Sequence, residues 1–167
     1  FKAFPEALQI RLTQYASQGG NMIISGAYVA SDLWEPSGID ALARHFARET
    51  LNIRFRSNHA SKTGEVMVAP SPYTAFYKGE DLGETAYSFR TGLNLTVYPV
   101  ESPDALEPAG PEAYTIFRYR DNRLSAGVAY RGNYRVVTLG FPLETLETEE
   151  QQARLVKECL DFFKTDK

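Results

Sequence analysis

Between the pair Gly19-Gly20 and the small residues Ser25-Gly26-Ala27 stands an apolar run of only three residues, Met22-Ile23-Ile24. Glycines punctuate one end, and small residues let the backbone turn sharply at the other, so the run reads as a buried strand that hands the chain to a loop. In open α/β sheets, ligands bind just beyond the carboxyl ends of such strands. The polar and aromatic residues that follow, Tyr28, Ser31, Asp32 and Trp34, are therefore the first candidates for a functional surface.

The flanking chain fits that frame. Leu8, Leu12 and Tyr15 fall on one helical face with Ala16 beside them, which predicts an amphipathic helix over residues 5–18, opened by Pro5 and ended by Gly19-Gly20. Its very short connection to the apolar run is that of an αβ unit. Ser37 is expected to cap a second helix over 38–50, with Ile39, Leu42, Ala43 and Phe46 as its apolar face and His45 beside that stripe. The middle of the chain changes character. Short strands are expected at 53–57, 65–69, 73–77 and 93–100, with a polar, hairpin-like turn at 58–64 and an acidic, glycine-containing loop at 78–85. The prolines of ESPDALEPAGPE read as a connector. Runs at 113–119, 124–130 and 134–139, separated by Arg120-Asp121-Asn122 and Arg131-Gly132-Asn133, predict an antiparallel meander. GFPLET then turns the chain into a terminal helix over 149–164, with Ala153, Leu155, Val156, Leu160 and Phe163 inward. With no repeat and no linker, residues 1–167 are expected to form one α/β domain.

Composition excludes several function classes. A net charge of −3, with basic residues interleaved among acids, argues against nucleic-acid binding. No apolar run approaches the roughly 20 residues of a membrane-spanning helix. Cys159 is the only cysteine, so neither an internal disulfide nor a cysteine-rich metal site can form. No His-rich or Asp-rich spacing suggests a metal, and no cofactor is expected. The chain opens at Phe1 without a leader, which reads as an excised segment or a mature product.

Two strings, NMIISGAYVASDL and RVVTLGFPLET, resemble the class I glutamine amidotransferase-like fold, most of all the version in secreted bacterial proteins of xanthan lyase type. The resemblance covers most of the chain, including the first helix, the AYTIFRYRDNRLSAGVAYRGNYRVVTLGFPLET meander and the closing helix. It implies a flavodoxin-like, three-layer α/β/α sandwich. In that family further β-α units precede the strand matching 21–25, so the resemblance also implies an N-terminally incomplete fold whose edge strand and one helix face need cover. Catalytic members carry a cysteine on the elbow after the central strand, with a histidine and an acid near the end of a late strand. The matching positions here are Ser25-Gly26-Ala27-Tyr28 and Gly140-Phe141-Pro142-Leu143-Glu144, without cysteine or histidine. A nucleophile without its base is weak at neutral pH, so a degenerate site without glutaminase activity is expected.

Ser25 could serve a hydrolase only if His45 or His59, the only histidines, reached it. A polysaccharide lyase would need a base, an acid and an aromatic-lined groove, for which Tyr28, Tyr73, Tyr77, Tyr87, Arg90 and Tyr98 supply side chains. Asp32 and Glu144 could bind a cation or exchange a proton if their loops share one end of the sheet, or could simply cap turns. The expectation is a non-catalytic accessory or structural module of a secreted carbohydrate-processing protein. The resemblance implies an extracellular or periplasmic location. Other domains of the same parent protein and polysaccharide are the expected partners. The expected surface is formed by Ser25, Tyr28, Ser31, Asp32, Trp34, Phe141 and Glu144, with Tyr28 and Trp34 stacking on sugar faces and Asp32 and Glu144 accepting hydroxyl hydrogen bonds. Lyase or hydrolase activity at the same loops is the alternative.

Overall fold

The computed structural model describes residues 2–34, 40–79 and 82–164. Helix α1, Glu6–Ser17, starts directly after Pro5 and ends where Gly19 takes φ +85° and donates to the Ala16 carbonyl at 2.8 Å. A left-handed glycine just beyond a helix satisfies the last carbonyls without a Cβ penalty. The buried stripe of α1 is not the expected one: Gln9 and Ala16 are buried and Leu12 half-buried, while Leu8 and Tyr15 are exposed. Gln9 is drawn inward because its amide donates to the Phe4 carbonyl at 2.8 Å. Tyr15 instead folds over Gly20, where its ring fills the space a side chain would need.

Strand β1, Met22–Ser25, runs parallel to β8, Arg135–Leu139, with Met22 opposite Val136 and Ser25 opposite Leu139. The other strands of this sheet are β3 (Glu65–Val68), β4 (Tyr87–Ser88), β6 (Ala113–Tyr119) and β7 (Ser125–Arg131). The six-stranded sheet has the order β1-β8-β7-β6-β3-β4, with every pair but the first antiparallel, and β6-β7-β8 form the expected meander. β1 is an edge. Adjacent residues of a strand face opposite ways, and Val136 and Val137 show the result. Val137 and Leu139 join Leu155, Cys159 and Phe162 of α3 (Glu149–Lys164) in one core cluster. Val136, Val128 and Met22 join Ala16, Phe46, Ile53 and Leu106 in the other. Helices therefore cover opposite faces of a mixed sheet, and the fold is α/β. Within α3 the inward residues are Leu155, Cys159 and Phe162; Ala153 and Leu160, expected inside, are exposed.

The second helix is shorter than the pattern suggests. α2 spans Ala41–His45 and passes into a π-helical turn, Phe46–Leu51, that ends at Asn52 with φ 58°. Its cap is Asp40, whose Oδ1 accepts the Ala43 N–H at 3.1 Å; Ser37, Gly38 and Ile39 lie outside the described residues. Ala43 and Phe46 are buried as expected and Leu42 is not. Asp40→Ala is expected to cost about 1 kcal/mol of stability, read as a lowered urea midpoint.

Four sequence expectations fail in the middle of the chain. Residues 105–108 are not connector but strand β5, Ala105–Pro108, which pairs antiparallel with β2, Ile53–Ser57, in a separate ribbon. Ala105 and Leu106 are fully buried, and Pro108, which has no N–H to offer, sits at the end of the strand. The turn at 58–64 is no hairpin, because β2 and β3 belong to different sheets. Residues 73–77 form a helical turn in which Phe76 and Tyr77 donate to the Tyr73 carbonyl at 3.0 and 3.1 Å. Residues 93–100 are a loop closed at its base by the Val100 N–H on the Arg90 carbonyl at 2.8 Å. Its alternation is real, but alternation makes a strand only where a partner supplies hydrogen bonds, and Leu93 and Leu95 stand fully exposed. The loop expected at 78–85 is described except for residues 80 and 81. Among the described residues, no helix is long and apolar enough to cross a membrane.

Candidate functional site

Parallel pairing of β1 with β8 brings the two strand ends, and the loops that follow them, to one end of the sheet. The Gly26 N–H continues the ladder to the Leu139 carbonyl at 3.3 Å, and the Ser25 hydroxyl oxygen accepts the Leu143 N–H at 3.2 Å. Beside this junction lies an open cleft of about 440 Å³, lined by Ala3, Ser25, Gly26, Ala27, Tyr28, Val29 and Asp32. Three of the expected residues, Ser25, Tyr28 and Asp32, thus meet in one cavity. Tyr28 is 53% exposed and offers its ring to solvent. Asp32 lies within the 3-10 turn Ser31–Leu33, and its Oδ2 accepts the Ala3 N–H, which pins the N-terminal segment as the opposite wall.

The other expected residues stand elsewhere. Trp34 packs against the second core cluster with the Arg48 guanidinium 5.9 Å from its ring centroid, so it offers no face to the cleft. Phe141 is fully buried and stacks on Phe89 with centroids 5.3 Å apart and planes at 11°. Ser31 is not among the residues that line the cleft; its N–H is turned to the Asp104 carboxyl at 2.8 Å. Glu144 lies in the 3-10 turn Leu143–Thr145, where its carboxylate accepts the Tyr98 hydroxyl at 2.7 Å. Burial and that carboxylate together push the Tyr98 hydroxyl up to about 12. The tyrosines considered for a lyase are dispersed: Tyr73 and Tyr87 are core residues whose hydroxyls donate to the Glu112 carbonyl and the Glu158 carboxylate. Arg90 is committed to the Glu147 carbonyl at 3.0 Å.

Neither histidine is a bonding partner of Ser25. His45 borders a different groove, between α1 and α2, with Ile10, Leu42 and Phe46. His59, at φ 50°, meets the buried Ser102, whose Oγ lies 2.7 Å from Nδ1 and 3.2 Å from Nε2. A hydroxyl aligned on one imidazole lone pair stands far from the other ring nitrogen. Near-equal distances therefore place Oγ beside the ring, not where a base would take its proton. Burial also pushes the Cys159 thiol up to about 12, which leaves it a packing residue. Among the described residues, no group of three or more His, Cys, Asp or Glu side chains is placed to hold a metal ion.

One residue at this end of the sheet escaped the sequence reading. Asp104 has no exposed surface, and its Oδ2 accepts the N–H groups of Ala30 and Ser31 at 3.0 and 2.8 Å, at the entry to the 3-10 turn that walls the cleft. Burial pushes its carboxyl up to about 6, against the two amide bonds and the nearby Ser31 hydroxyl, which favour the charge, and Asp32 adds to the rise. Its partners are more than 70 residues away in sequence. The only local signal is an acid placed directly before the apolar pair Ala105-Leu106. No protein-family model matches the chain, and no curated protein matches it in sequence.

Proposed function

We propose that the chain is a non-catalytic accessory module of a secreted carbohydrate-processing protein that binds glycan, or a neighbouring domain of that protein, in the cleft at the end of β1. The fold behind this reading is the flavodoxin-like, amidotransferase-like sandwich. It is supported by the parallel β1–β8 pair and by helices on opposite sheet faces. One observation carries the functional reading: an open cleft with a serine hydroxyl already bonded to a backbone N–H, an exposed tyrosine ring and a carboxylate on its wall. Those groups suit the recognition of hydroxyl-rich rings. An aromatic face packs against the apolar side of a sugar, and a carboxylate accepts from its hydroxyls. They lack the aligned base that a serine nucleophile needs.

Calorimetric titration against a panel of neutral and uronate-containing oligosaccharides tests the proposal. Tyr28→Ala is expected to weaken binding about 3- to 10-fold, and Asp32→Ala about 10-fold or more. Asp32→Asn, which keeps an oxygen for the Ala3 N–H, separates ligand contact from wall positioning. Unchanged affinity in both alanine variants, or no binding by the parent, rejects the glycan reading. Release of unsaturated uronates or ester turnover that disappears in Ser25→Ala overturns the non-catalytic one.

A further inference from the structure

The wall of the cleft rests on a buried charge. Asp104 is fixed on its own side: its N–H donates to the Gly140 carbonyl at 2.8 Å and its carbonyl accepts the Tyr119 hydroxyl at 2.7 Å. From that frame one oxygen, Oδ2, reaches across to the amides of Ala30 and Ser31. Among the described residues, the second oxygen, Oδ1, is buried and makes no well-aligned hydrogen bond, and neither does the Ser31 hydroxyl, which stands close enough to the carboxyl to favour its charge. Among the described residues, no cation forms an ion pair with Asp104. The ionisable groups around it are Asp32 from the turn, of like charge, and Tyr119 from β6, whose buried hydroxyl stays protonated. His59 lies on the neighbouring loop against Ser102, and the adjacent Ala60 N–H is bonded to the Pro103 carbonyl.

We propose that Asp104 is a proton-operated latch on the cleft wall: protonated, it holds the turn at Ala30 and Ser31 shut, and ionised, it favours an opened turn in which water reaches the carboxylate. The Ser31 hydroxyl can accept from a protonated carboxyl or donate to an ionised one, so what separates the two states is the cost of keeping the charge out of water. An ionised carboxyl keeps a full charge with no exposed surface and, among the described residues, no cation beside it, a cost that the two amide donors and the Ser31 hydroxyl offset only in part. In the closed arrangement the carboxyl titrates near 6, against 3.8 for a hydrated aspartate. The closed form therefore binds the proton more tightly. Closure is favoured fully below about pH 4 and weakens progressively up to about pH 6, and above that the opening constant is larger by about 100-fold.

The latch rests on the cleft reading only in that the turn is the cleft's wall, and it is measured without ligand. Amide hydrogen exchange on the intact chain, corrected for intrinsic rates, is expected to show protection at Ala30 and Ser31 falling about 100-fold between pH 4 and pH 7. Val137, in the central sheet, serves as the reference for global opening. Asp104→Asn keeps an oxygen for both amides and carries a permanent N–H donor, so protection there should be high and flat with pH. His59→Gln should retain the wild-type response. Quenching of the single tryptophan, Trp34, whose N–H closes the turn on the Ser31 carbonyl at 3.0 Å, gives a second readout that should rise over the same range. Constant wild-type protection, a response surviving in Asp104→Asn or lost in His59→Gln, or Ala30 and Ser31 exchanging only in step with Val137 would each overturn the latch. A blank glycan titration would reject the ligand reading and leave the latch standing.

Discussion

Gly140→Ala is expected to destabilise the protein by about 3 kcal/mol or more, a large effect for one added methyl. A Cβ at this position would stand 2.0 Å from the Asp104 carbonyl oxygen and 2.9 Å from its carbon, both backbone atoms that cannot rotate aside. Relief requires the two segments to separate. That would break the Asp104 N–H bond to the Gly140 carbonyl, at 2.8 Å, and strain the Gly140 N–H bond to the Ala126 carbonyl, at 2.9 Å. The change also disturbs the Tyr119 hydroxyl, which is bonded to the same Asp104 carbonyl and lies 3.1 Å from the added atom. Urea denaturation should show a midpoint lowered on the order of 1–2 M. Gly92→Ala, where nothing lies within 4 Å of the added atom, supplies the control and should stay within about 0.5 kcal/mol of wild type. Equal midpoints for the two variants would show that the close approach at Gly140 carries no energetic weight.

Phe141→Ala is expected to cost about 3–5 kcal/mol, the range for removing a buried phenylalanine with little collapse of the site. The ring is fully enclosed and stacks on Phe89, which itself meets Tyr119 edge-on at 6.2 Å. A cavity there is bounded by the central sheet and by the turn that carries Leu143, so the loss extends to the backbone that holds Ser25. The comparison with Tyr28→Ala is informative. Tyr28 is half exposed on the cleft wall and should lose less than about 1 kcal/mol of stability while losing ligand affinity. A Phe141→Ala variant with wild-type stability would mean that the residue is not the core element its burial indicates.

How far the chain could be read in advance varied with how local the cause was. The meander and the last helix were legible because strand alternation and helical spacing act over neighbouring residues, and their observed bounds lie within a residue of the expected ones. Ser25, Tyr28 and Asp32 were legible as a group because a strand end followed by small residues generates a loop in any α/β sheet. Phe141 and Trp34 were assigned to the same surface by adjacency in sequence. Which way each ring faced depended on Phe89 in one case and on Arg48 and the second core in the other. Residues 93–100 carry a strand's alternation without becoming one, and residues 105–108 become a strand despite Pro108 and the prolines around them, since pairing depends on a partner far away in sequence.

By itself the sequence determined the element types at both ends of the chain, the loop after Met22-Ile23-Ile24, and the absence of a cysteine from that loop. Tertiary structure alone decided that β1 pairs with β8, that the Ser25 hydroxyl is occupied by the Leu143 N–H, and that His59 lies against Ser102. It also decided that a carboxylate from residue 104 sits beneath the turn after β1. The physical reason is range. Periodicity and turn chemistry act within a few residues, whereas burial of a charge and alignment of a donor depend on segments that only folding brings within hydrogen-bond distance.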